Sequence, residues 1–219
     1  MKFINKTLWI FFVLTAFIIT GCSTTSSPSK KEEEQKQDGT TVEPAIKGEK
    51  IDMSTLKPLT EDSTKEEVFY YATALITNAR HQEAETKLIE LTQKHPELSG
   101  PYTNLGISYF HTQQHEKAIN AFNQAIALKT NNAVAFDYLG RIEREAGRFD
   151  SAKANYLKAI EADPFYPQAQ RNLGILLDLY LSQPKEALAH YTRYLKLIGK
   201  PDKQVTIWVK DLTNRLGKK

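Results

Sequence analysis

The sequence predicts an all-α array of paired helices, and three periodic signals carry that prediction. Glycine recurs at Gly106, Gly140 and Gly174, each 34 residues from the next. Alanine keeps the same interval at Ala84, Ala118 and Ala152, with Ala187 one residue late. Large apolar side chains stand four positions further on, at Leu88, Phe122, Tyr156 and Tyr191. A fixed period of this length marks one supersecondary unit repeated and stacked, because each unit alone cannot bury its apolar face. Two units close on a proline, Pro96 and Pro164, which cannot continue a helix.

Composition supports a packed chain: 41% of residues are hydrophobic and 25% charged, close to ordinary globular usage. The average hides two segments at the front. In the first, residues 1–21, Lys2 and Lys6 precede an apolar run from Leu8 to Ile19 that is too short to span a bilayer comfortably. This reads as a signal peptide. Its end, Ile19, Thr20, Gly21 and Cys22, resembles the lipobox of bacterial lipoproteins. The resemblance implies that the Cys22 thiol receives a diacylglyceryl group and that cleavage follows Gly21. Acylation at the new amino terminus would add further chains, and two or more chains anchor stably where one binds only marginally. Cys22 is the sole cysteine, so no disulfide forms within one chain.

Removing Lys2 and Lys6 from the 29 basic residues leaves 27 against 26 acidic ones, which gives no argument for a nucleic-acid partner. The second segment, residues 22–62 with the acceptor cysteine, opens with Ser, Thr, Lys and Glu and few apolar residues. Such a chain buries too little surface to offset its ordering entropy, so a disordered tether is expected. About 40 flexible residues reach on the order of 35 Å. The charge run KKEEEQK within it reads as a solvated spacer.

From residue 65 the pattern of a large residue, Leu-Gly, Tyr, Ala, a large aromatic and Ala is nearly complete as Tyr102, Leu105, Gly106, Tyr109, Ala118, Phe122 and Ala125. This resembles the tetratricopeptide repeat family. The resemblance covers residues 65–200 and implies a solenoid, an α-α superhelix of four helix-turn-helix units at 65–98, 99–132, 133–166 and 167–200. Departures are Tyr71 and Ala72 in place of Leu-Gly, Thr130 for a proline, Glu143 for an aromatic, and one extra residue near Leu181 to Lys185. An interior helical glycine costs about 1 kcal/mol relative to alanine. Close crossing of the two helices of each unit, glycine opposite alanine, is the expected compensation. In residues 201–219 the stripe Val205, Trp208, Val209, Leu212 and Leu216 predicts a helix that caps the last unit.

No phosphate loop, nucleophile elbow or HExxH motif is present, so neither an enzyme nor a cofactor is expected. His111 and His115 stand four apart, a spacing that holds a metal on a continuous helix, but no third ligand lies near. They read as surface residues. The family's ligand-facing positions map onto Phe69, Tyr70, Thr73 and Ile76 in the first unit. In the second they are Thr103, Asn104, Ile107, Phe110 and His111. The third offers Asp137, Tyr138, Arg141, Arg144 and Glu145, and the fourth Arg171, Asn172, Ile175 and Asp178.

The three arginines either fork onto a partner's carboxylate or are neutralised by Asp137 and Asp178. The clamp for chaperone C-termini is not expected, since of its residues only Asn104 is present. The resemblances together imply a lipid-anchored scaffold that binds a segment of another envelope protein, as in pilus assembly or peptidoglycan-hydrolase complexes. In a Gram-negative organism, Ser23 after the cysteine would imply outer-membrane sorting, with the solenoid in the periplasm. The alternatives are a glycan-binding module or hydrolase using Phe69, Tyr70 and Phe110, and self-association through the repeats.

Overall fold

The computed structural model describes residues 50–217. The expected signal peptide, Cys22 and most of the expected tether lie outside them. Among the described residues the structure is helical, with no strand: α1 Lys65–Thr77, α2 His81–Lys94, α3 Ser99–His111, α4 His115–Leu128, α5 Ala133–Glu145, α6 Phe149–Ala162, α7 Pro167–Leu179, α8 Pro184–Ile198 and α9 Lys203–Gly217. None is long and apolar enough to cross a membrane.

Local chemistry sets where the helices begin and end. Thr64 and Glu67 form a reciprocal capping box at the start of α1, with Thr64 N donating to Glu67 Oε2 at 2.9 Å. Asn132 accepts from the Ala135 amide ahead of α5. Pro167 and Pro184 open α7 and α8, where an amide would have no helical partner. The turn inside each of the first three units is a Schellman closure. Arg80, Gln114 and Arg148 donate their amides back to Leu75, Tyr109 and Glu143. The residue before each donor has a left-handed backbone: Ala79 (φ 60°), Gln113 (φ 61°) and Gly147 (φ 74°). In the fourth unit the left-handed residue is Ser182, one place later, which is where the extra residue goes.

Each odd-numbered helix packs antiparallel on the even-numbered one after it, and each even-numbered helix packs on the odd-numbered helix of the next unit. α1, α3, α5 and α7 also touch in succession. The buried side chains form two clusters. One runs from α1 to the start of α7 and includes Leu75, Leu88, Ile107 and Phe122. The other joins α6, α7, α8 and α9 through Tyr156, Leu173, Leu177, Tyr191 and Leu212. Ile160 packs against both.

Two details differ from the sequence reading. What lies nearest Gly106, Gly140 and Gly174 is an aromatic ring and not the alanine at 118, 152 or 187. A Cβ on Gly140 would lie 2.6 Å from the ring of Tyr156, and the other two glycines face Phe122 and Tyr191 in the same way. The ring four residues beyond each alanine is long enough to reach across and fill the space above the glycine, while the alanine itself is buried beside it. The second difference concerns residues 50–62, assigned by composition to the tether. Met53–Thr55 form a turn of 3-10 helix, Met53 packs against the first core cluster, and Asn78 Nδ2 donates to the Ile51 carbonyl at 2.8 Å. A few apolar side chains suffice there because α1 presents a ready surface.

On α9, Val205 and Leu212 are buried, and Trp208, Val209 and Leu216 are half-buried. Trp208 lies 5.3 Å from the ring of Tyr191. The helix thus covers the apolar side of α8 that a further unit would otherwise cover.

Candidate functional site

A helix brings residues three and four apart onto one face. On α5 that rule aligns Asp137, Tyr138, Arg141 and Arg144, and on α7 it aligns Arg171, Asn172, Ile175 and Asp178. α5 and α7 are in contact, so the two sets meet.

Asp137 is wholly buried, and both its oxygens accept from Asn172 Nδ2, at 2.9 and 3.0 Å. Burial pushes its carboxyl up to about 6 against the opposing pull of the Asn172 hydrogen bond and of Arg141, Arg144 and Arg171. The Arg141 guanidinium lies over two rings, 4.3 Å from the centre of Phe110 and 4.4 Å from that of Tyr138. Those rings meet edge to face at 5.3 Å. Arg171 lies over Trp208 of α9, at 5.6 Å. Asp178 takes an ion pair from Arg215 of the same helix, at 3.3 Å.

Neither aspartate is within ion-pair distance of the three arginines. Arg144 Nη1 and Arg171 Nε are buried with no hydrogen-bond acceptor, and the Tyr156 hydroxyl nearby is buried without a partner. Buried donors are ordinarily satisfied, so the two guanidinium donors mark a place where an acceptor fits; atoms of His81, Ser108, His115 and Gln168 are also buried without a partner.

The other expected ligand-facing residues divide sharply. Phe69, Thr73, Asn104, Ile107, Phe110, Asp137, Tyr138 and Asn172 are buried. Arg141, Arg144, Arg171, Ile175 and Asp178 are half-buried, and Tyr70 is 52% exposed. The surface offered is therefore smaller than the full list and lies mainly on α5 and α7. The physical reason is that neighbouring leading helices cover the positions between them. Polar groups caught there bond across the gap: Asn104 Nδ2 donates to Thr73 Oγ1 at 2.9 Å, and Asn132 Nδ2 to Thr103 Oγ1 at 2.8 Å. Tyr70 lines a cavity of about 210 Å³ with Tyr71, Leu56 and Leu59, formed by the residues ahead of α1.

His111 and His115 do not share a helix, since α3 ends at the first and α4 begins at the second. His111 stacks on His81 instead, with ring centres 4.4 Å apart. Although His111 keeps an exposed edge, desolvation of its stacked face, then the neighbouring His81 and Arg141, hold its imidazole down to about 4. Among the described residues, no group of three His, Cys, Asp or Glu is placed to hold a metal. The partnership of Arg171 with Trp208 was beyond reach of the sequence, where Trp208 shows only as part of an apolar stripe.

Comparison with known proteins bears on the fold. Two family models, each described as tetratricopeptide repeat, match residues 100–132 and 139–201. A peroxisomal targeting signal receptor of Candida albicans is 27% identical over 86 residues, which cover 39% of this chain and 14% of that protein. The chain thus spans about a seventh of that relative's length. The solved structure of Pseudomonas aeruginosa pilF aligns with a TM-score of 0.63 at 18% identity, covering 70% of this chain and 69% of its own. A thermophilic TPR protein of Thermus thermophilus aligns at 0.61 with 19% identity, over 70% and 83%. MamA aligns at 0.54 with 22% identity, over 64% and 81%. At these identities the likeness is one of fold. The chain carries tetratricopeptide repeats across residues 100–132 and 139–201, within a solenoid of four helix pairs closed by α9.

Proposed function

We propose that the chain is a scaffold, not an enzyme, that holds a segment of another polypeptide along the face built by α1, α3, α5 and α7. The observation that carries this reading is the direct succession of contacts among those four helices, which makes their outer edges one surface that spans unit boundaries. A surface of that kind suits an elongated partner better than a small substrate. The lipobox resemblance at Cys22 supports a lipid anchor on an envelope membrane, which in a Gram-negative organism would be the outer membrane by the Ser23 argument. Pilus assembly and peptidoglycan-hydrolase complexes are the kinds of assembly it would serve.

Photocrosslinking from single positions in the native envelope, read by mass spectrometry, tests the reading. Adducts from Tyr70, Ile175 and Leu179 are expected, and none from Leu157 on α6. Adducts confined to the α6 side would overturn it, as would saturable binding or turnover of muropeptides, which would favour the glycan-binding alternative. Separately, Cys22→Ser is expected to release the chain from membranes; continued membrane recovery would remove the anchor from the proposal.

A further inference from the structure

Resting on the scaffold reading, we infer that the α5–α7 part of the face recognises acidic side chains of the bound polypeptide through Arg141, Arg144 and Arg171. Three of the four arginines elsewhere in the described residues have carboxylates of their own. Arg80 pairs with Glu83, Arg148 with Glu143, and Arg215 with Asp211 and Asp178. Apart from Arg193 on α8, the arginines with no carboxylate at ion-pair distance are the three on this face.

The acids nearby make their closest contacts elsewhere, although Asp137, once ionised, lies within the field of all three arginines. Asp137 accepts from Asn172, Asp178 pairs with Arg215, Glu143 with Arg148, and Asp202 accepts from Tyr194 and from the Gln204 and Val205 amides; Glu145 lies 4.0 Å from His115, a contact that is an ion pair only when that imidazole is protonated. The buried orphan donors, Arg144 Nη1 and Arg171 Nε, provide a second and independent sign of a missing acceptor. Arg141, laid across the rings of Phe110 and Tyr138, is pre-set in position and loses little freedom when its edge donors are used.

The arrangement favours carboxylates carried on a chain over a free anion. Arg141 and Arg144 are one helical turn apart on α5 and Arg171 comes from α7, so the charges are supplied by two helices across a unit boundary. Apolar surface accompanies them on α7, where Ile175 is half-buried and Leu179 is 69% exposed. An extended segment with acidic residues and an intervening apolar one matches both features.

The test uses the full chain and a fluorescein-labelled peptide of four glutamates flanking a leucine, with a glutamine twin as control. Anisotropy titration is expected to show binding of the glutamate peptide that weakens with added salt. It should be at least tenfold weaker for the twin, and at least tenfold weaker for the double variant Arg144→Gln, Arg171→Gln. Arg171→Lys and Arg144→Lys should keep part of the affinity, which separates lost charge from lost packing. Equal binding of the twin, or of the double variant at an unchanged melting temperature, overturns the inference. So does displacement by inorganic phosphate at micromolar concentration, which would mark a free-anion site, or by a peptide copying the chain's own KKEEEQK run more tightly than by the probe. Crosslinks from Leu179 that persist in the double variant would leave the scaffold standing and remove only the acidic specificity.

Discussion

The ring of Tyr156 lies across Gly140, with its Cδ1 and Cε1 each 2.6 Å from where a Cβ would stand. Real Cβ atoms do not approach rings so closely, so α5 and α6 reach their separation only because residue 140 lacks a side chain.

Gly140→Ala is therefore expected to destabilise by about 1–3 kcal/mol through overpacking, despite alanine's better helix propensity. Thermal unfolding measures it. Combined with Tyr156→Leu, which removes the ring, the loss should be less than the sum of the single losses; strict additivity would contradict the close crossing.

The left-handed turns predict opposite effects from opposite substitutions. Nothing lies within 4 Å of a Cβ added at Gly147, so Gly147→Ala should cost on the order of 1 kcal/mol from backbone conformation alone. Gln113→Gly, at the same place one unit earlier, should gain several tenths of a kcal/mol as a left-handed side-chain penalty is relieved. Denaturant midpoints for both variants decide the matter.

Asp137 predicts a pH dependence with a definite sign. Its carboxyl titrates near 6 in the folded chain and near 3.8 when unfolded. Between those values the folded state holds the extra proton, so this residue's contribution to stability falls as pH rises from about 4 to about 6 and is flat on either side. Each pKa unit is worth about 1.4 kcal/mol, which makes the change a few kcal/mol. His111 and His81 pull the other way at acid pH, since burial lowers both imidazoles and they resist protonation in the folded chain. The informative quantity is the difference between wild type and Asp137→Asn, which should grow with pH through this window. A constant difference would show that Asp137 is not buried as an acid.

The hydrogen bond from Asn104 to Thr73 joins the first two units through buried atoms. Thr73→Val should cost about 1–3 kcal/mol because the Asn104 amide is left without its acceptor. Pairing it with Asn104→Leu should recover much of that loss, whereas an equal or greater loss would mean that the contact is dispensable.

The sequence by itself determined the fold class: all-helical paired units, four in number, with a capping helix after them. It did so because a 34-residue repeat of glycine, alanine and large apolar side chains has only one way to bury those groups, by stacking. It also named the arginines and aspartates of α5 and α7, since helical spacing puts them on one face. Only the tertiary structure decided which arginines would pair with a carboxylate. Sequence spacing left Asp137 and Asp178 as open partners for them, and the outcome rested on Asn172 from the next unit and Arg215 from the cap, dozens of residues away. Tertiary packing likewise decided that Phe69, Thr73, Ile107 and Phe110 would be covered by neighbouring helices, and that residues 50–62 would lie against α1. Periodicity within a helix reports which face a residue is on, but burial depends on how closely the next helix approaches that face.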